Sequence, residues 1–182
     1  MTIATVQEKQ NFANWYSYYR DRMLMMKTSA GLAFRPIDNH YRVGFMTIND
    51  NVSPDFLNFA TFDATQKSAW YAKLYGATPG SSTPLREALS NAGRIYAGKK
   101  TTMYGAAVTD PIQYSCQQNF TILSTDGFWN VNSGFKLDGT TAVGNQDGSE
   151  ARPMFDGGSV STIVTATLTI CLLYTSPSPR DS

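Results

Sequence analysis

Ser82-Thr83-Pro84-Leu85-Arg86-Glu87-Ala88-Leu89 and, further along, Leu123-Ser124-Thr125-Asp126-Gly127 are the two stretches on which the reading of the fold turns. The first opens a helix. A hydroxyl before proline can cap free backbone N–H groups, and proline at the first helical position costs no hydrogen bond. Leu85, Ala88, Leu89, Ala92, Ile95 and Tyr96 share the apolar side of that helix, which is expected from Pro84 to about Ala97 and ends at Gly98. The second stretch closes a short apolar strand expected over 119–125, with Asp126-Gly127 as the turn. Taken singly, each stretch has this plain structural meaning.

Upstream, Phe12, Trp15, Tyr16, Tyr19, Met23 and Met26 recur at steps of three and four, which predicts one long helix with an aromatic stripe packed into the core. Gly31 and Arg35-Pro36 close it. Tyr41 to Ile48 reads as a buried strand ending in Asn49-Asp50-Asn51, and residues 51–63 read as irregular. Asp63 is placed to cap a short helix reaching Tyr75, with Trp70 and Leu74 one turn apart. His40, the sole histidine, is expected at the surface, since no second histidine or cysteine is near it. Residues 128–158 form a long loop rich in Asn, Asp and Gly, a length usually kept for a function. Ser161 to Thr169 is β-branched and reads as strand. Helices alternating with apolar strands predict a doubly wound α/β fold with a mainly parallel sheet. Ligands in such folds sit at the carboxyl ends of strands, where Asp126 falls.

The 182 residues suit one domain, expected over 1–170. Residues 171–182 resemble the read-through translation of a sequencing adapter and are set aside from the fold. That leaves Cys116 as the cysteine to explain, either as a free buried thiol or as half of a disulfide with a partner upstream. A net charge of +1 and no basic stripe argue against nucleic acid as a partner. No apolar run is long enough for a membrane span. Ten Tyr, ten Phe and three Trp suit a packed core or a recognition surface. No Ser/His/Asp set, paired histidine or phosphate-cradling glycine loop points to an enzyme.

Read together and in this order, the two opening stretches resemble the von Willebrand factor A-type domain. In that family a metal-ion-dependent adhesion site takes ligands from three loops: Asp-x-Ser-x-Ser after the first strand, a Thr that opens a helix, and the Asp of Thr-Asp-Gly. The resemblance implies Thr83 and Asp126 as metal ligands, with Mg²⁺ or another divalent cation as cofactor. Hard cations take oxygen donors, and a neutral hydroxyl beside a carboxylate leaves charge for a partner's acidic group to complete. No Asp-x-Ser-x-Ser occurs in the chain, so the fold is expected to be incomplete, lacking the first strand, which would lie upstream of Met1.

A narrower resemblance rests on Gln10 to Arg20, Arg42 to Asn49, Thr83 to Ser90, Tyr114 to Leu123 and Val143 to Gly148, which look like the N-terminal region of PilY-type type IV pilus proteins. It implies a secreted protein of the pilus tip, cell surface or outer membrane that acts in pilus assembly, attachment and twitching motility. Its implied partners are pilus minor subunits and surface or host ligands bearing an acidic group. The competing reading is a metal-independent scaffold of pilus assembly in which Thr83 is only a helix cap.

Overall fold

The computed structural model describes residues 4–48, 56–80, 82–114, 116–125 and 131–143, together with short strands at 152–153, 161–162 and 175–176. Two helices, α1 (Val6–Tyr18) and α2 (Arg22–Phe34), stand where one long helix is expected. The chain breaks between them because both new ends are satisfied locally. Asp21 adopts an extended conformation and its carboxylate accepts the Leu24 N–H, starting α2. At the end of α1, Thr28 donates to the Tyr18 carbonyl at 3.0 Å. A capping box of Thr5 and Glu8 opens α1. The aromatic stripe does not enter the core. Phe12 is 63% exposed and Trp15 50% exposed, and α1 buries no residue.

Strand β1 (Arg42–Met46) pairs antiparallel with β2 (Phe56–Thr61), with a register shift between Val43 and Phe45. The segment expected to be irregular over 51–63 therefore contains a strand. Pairing with β1 supplies the backbone partners that local sequence does not announce. Helix α3 (Ala64–Gly76) follows as expected, with Asp63 capping the Gln66 N–H at 2.9 Å. Trp70 and Leu74 are buried, and with Phe62 they form the main core. Phe34 stacks on Trp70 at 4.2 Å, and Phe45 and Phe62 meet its ring edge to face. Gln66 fastens α3 to the hairpin by donating to the Val43 and Asn58 carbonyls. The core therefore lies between α2, α3 and the β1–β2 hairpin.

Helix α4 (Leu85–Tyr96) starts one residue later than expected, with Pro84 at the N-cap position. It buries Leu85, Ala88, Ala92 and Ile95, while Leu89 is 49% exposed. Gly98, at φ +64°, follows it. Next come β3 (Thr102–Met103) and β4 (Ala106–Ala107), paired antiparallel, with Met103 buried. Arg42 and Asn58 tie the hairpin to this part of the chain through the Pro111 and Ala107 carbonyls.

The expected strand over 119–125 is confined to β5 (Asn119–Phe120), which pairs with β8 (Thr175–Ser176), a strand inside the 171–182 tail that was expected to stand outside the fold. Ile122 is 69% exposed, while Thr121, Leu123 and Thr125 are half-buried. Strands β6 (Arg152–Pro153) and β7 (Ser161–Thr162) pair antiparallel, the latter at the start of the segment read as strand. Within the range expected as one loop, 128–158, the described residues include an isolated bridge between Phe135 and Ala142 and strand β6. All strand pairings among the described residues are antiparallel, and the expected parallel sheet is not found among them. None of the described helices is long and apolar enough to cross a membrane.

Candidate functional site

The candidate site is built on α4. Thr83 is half-buried and sits just before the helix, and its carbonyl accepts the Leu85 N–H at 3.0 Å. The Pro84 carbonyl begins the helical ladder by accepting from Ala88 at 3.0 Å. Proline has no side-chain donor or acceptor, so the N-cap residue itself gives no side-chain cap. Glu87 in the first turn places a carboxylate where the helix dipole favours one.

The middle of α4 is clasped by the segment that follows Asp126 in the chain. Asn132 donates to the Glu87 carboxylate at 2.6 Å. The Phe135 N–H donates to the Ser90 hydroxyl at 3.0 Å, and that hydroxyl donates back to the Phe135 carbonyl. Gly134, at φ +74°, lies so close that an added Cβ would come within 2.8 Å of Ser90 Cβ and 2.9 Å of the Arg86 carbonyl. The loop beyond is closed by Asp138, which accepts from the Thr140 and Thr141 amides and the Thr141 hydroxyl. These bonds, led by the Thr141 hydroxyl, hold its carboxyl down at a pKa of about 2.

The far end of α4 holds the segment that precedes Asp126. The Tyr96 hydroxyl donates to the Phe120 carbonyl at 2.8 Å, and burial pushes its phenol pKa up. Burial likewise pushes the Lys100 ammonium down, helped by neighbouring Arg94 and opposed by Glu87. Both chain segments flanking the Ser124–Gly127 loop are thus bonded to the helix that Thr83 precedes. Thr125 is half-buried, and Asp126 lies outside the described residues.

Thr83 and Asp126 supply a hydroxyl and a carboxylate, the oxygen donors a hard divalent cation takes. No group of three or more His, Cys, Asp or Glu side chains that could hold a metal occurs among the described residues. Glu87, Ser90, Asn132 and Gly134 were not anticipated. The only local signal for them is the glycine of Asn132-Ser133-Gly134, a turn pattern that does not reveal its contact with α4. Cys116 is exposed, so it is not the buried thiol that was one of the two expectations. His40 is at the surface as expected, with its ring nitrogen 2.9 Å from the Asp38 carboxylate.

No family model matches the chain, and no solved structure matches it. Among curated proteins, it is 34% identical over 173 residues to the type IV pilus biogenesis factor PilY1 of Pseudomonas aeruginosa strain PAK, covering 87% of this chain. The PilY1 of strain PAO1 is also 34% identical over 173 residues, and that of strain UCBPP-PA14 is 34% identical over 134 residues. The chain spans only 14% of the length of the first two relatives. Over most of its own length, then, the chain is a PilY-type sequence, related to one segment of the PilY1 biogenesis factors.

Proposed function

We propose that the chain is part of a type IV pilus biogenesis and adhesion factor that binds its ligands through a divalent cation at the pilus tip or cell surface. In this reading it forms a von Willebrand factor A-like doubly wound fold, and Thr83 and Asp126 are two ligands of Mg²⁺ or a similar ion. The observation that carries the pilus assignment is its similarity to the PilY1 proteins over most of the chain. Support for the site comes from α4, which follows Thr83 and is bonded to both flanks of the Asp126 loop. The β1–β2 pair is compatible with the fold, because doubly wound sheets commonly carry an antiparallel edge strand. Such a site binds a partner's acidic group and needs no nucleophile or general base.

The test is calorimetric titration of Mg²⁺ and Mn²⁺ into the contiguous reading frame that contains this chain, alongside its Asp126→Ala variant. Binding by the parent and its loss in the variant are expected. Equal affinity in the two proteins would refute the metal site.

The second reading is a metal-independent scaffold of pilus assembly, in which the Asn132–Phe135 clasp serves only to seat the loop after Asp126 on α4. It predicts that Asp126→Ala leaves piliation and surface attachment intact.

A further inference from the structure

A cleft of about 280 Å³ opens between α2 and α3, lined by Tyr18, Thr28, Leu32, Arg35, Tyr71 and Tyr75, with Gly31 at its base. Its walls are held in place. The Tyr71 hydroxyl donates to the Gly31 carbonyl at 2.6 Å, Thr28 fixes the Tyr18 carbonyl, and the Tyr71 and Tyr75 rings stack at 5.7 Å. Its rim is apolar and open to solvent: Tyr18, Leu32 and Tyr75 are each more than half exposed. The exposed face of α1, with Phe12, Trp15 and Tyr16, belongs to the helix that ends in Tyr18. Exposed apolar patches rimmed by polar residues mark sites for a partner.

The one charged side chain among the lining residues is a cation. Arg35 lines the cleft, Lys27 donates to the Tyr75 carbonyl at 2.7 Å, and Lys67 donates to the Arg35 carbonyl at 2.7 Å. Helices α2 and α3 together carry Arg22, Lys27, Lys67 and Lys73 and not one Asp or Glu. With a net charge of only +1 for the whole chain, this is a local concentration of cations. Arg35 is close enough to act on the Tyr71 phenol, favouring its ionised form against the larger opposing effect of burial.

We propose that this cleft docks an acidic polypeptide segment, which inserts an aromatic or branched apolar side chain between Tyr18, Leu32 and Tyr75 and sets its carboxylates against Lys27 and Arg35. The site is separate from the metal-binding reading and needs no cation. Charge complementarity selects the partner, and the aromatic slot supplies the anchor.

The experiment is fluorescence anisotropy on the full chain with a short fluorescein-labelled peptide in which Glu pairs alternate with Phe. Companion peptides carry Gln for Glu, or Ser for Phe. The parent should bind the Glu/Phe peptide, and more weakly as salt rises from about 50 to 200 mM. Arg35→Glu and Tyr75→Ala should each weaken it about tenfold or more, equivalent to about 1.4 kcal/mol. Lys99→Glu, on the exposed loop after α4, should leave it unchanged, and thermal melts confirm that each variant is folded. Equal binding of the Gln/Phe peptide, or full affinity in Arg35→Glu and Tyr75→Ala, overturns the proposal. So does failure to bind any of the peptides, whether or not the chain adheres to phosphatidylglycerol vesicles or to alginate.

Discussion

Replacing Gly134 with alanine should loosen the clasp that joins the Asp126-side segment to α4. Two costs add at this position. The first is conformational: φ is +74°, a region where a side chain costs about 1 kcal/mol or more. The second is steric. The new Cβ would lie 2.9 Å from the Arg86 carbonyl oxygen and 3.1 Å from the Glu87 Cα, both backbone atoms of α4 that cannot swing aside. Overpacking of this kind costs about 1–3 kcal/mol. Gly105 provides the internal control. It has almost the same φ, +78°, but a Cβ there meets nothing within 4 Å. Gly105→Ala should therefore show the conformational cost alone, about 1 kcal/mol, and Gly134→Ala about 2–4 kcal/mol. The assay is urea unfolding of both variants at matched m-values, with hydrogen exchange at the Phe135 amide as the local readout. If Gly134→Ala is no more destabilising than Gly105→Ala, the close seating of this loop on α4 is wrong.

Two further outcomes follow from the core and from the Asp138 loop. Trp70 is 4% exposed and touches Phe34, Phe45, Phe62 and Tyr71, so Trp70→Ala should cost about 3–5 kcal/mol in urea unfolding. The Asp138 carboxyl titrates near 2 in the folded chain, below its ordinary 3.8. A depressed folded pKa contributes stability that is present above the unfolded value and is lost as pH falls through the folded value. The Lys136–Thr141 turn should therefore loosen between about pH 4 and 2, seen as faster exchange of the Thr140 and Thr141 amides, and Asp138→Asn should remove that pH dependence.

What could be read from sequence were the features that short-range chemistry determines. Asp63 caps α3 through an amide three residues away, and Trp70 and Leu74 share a face by helical spacing alone. The break between α1 and α2 was hidden by the same logic, because the aromatic spacing runs on unbroken through Tyr19 to Met23 while Asp21 lies off the stripe. Strand β2 was missed because Phe56-Leu57-Asn58-Phe59 does not alternate, and its strand state depends on partners in β1. Of the candidate site, the helix that follows Thr83 was legible, but its start was not, since Pro84 and not Thr83 takes the N-cap position. The clasp was not, since Asn132 and Glu87 are 45 residues apart and nothing local to either predicts the bond.

That clasp bears on how the proposed site would bind a cation. A loop that is free at both ends loses conformational entropy when one of its carboxylates is fixed, at about 1–2 kcal/mol per residue ordered. Here the segment containing Asp126 is tied at Phe120 to Tyr96 and at Asn132 to Glu87, both on the helix that begins just after Thr83. Each tie is worth about 1 kcal/mol as a hydrogen bond, or somewhat more where Glu87 is the charged acceptor. In the proposed site, ties at both flanks would preorganise the segment between them relative to Thr83 before any ion arrives. Preorganisation of this sort strengthens binding without adding a ligand. The metal affinity of the complete site should therefore be sensitive to Tyr96 and Asn132, neither of which carries a ligand role in the proposed site.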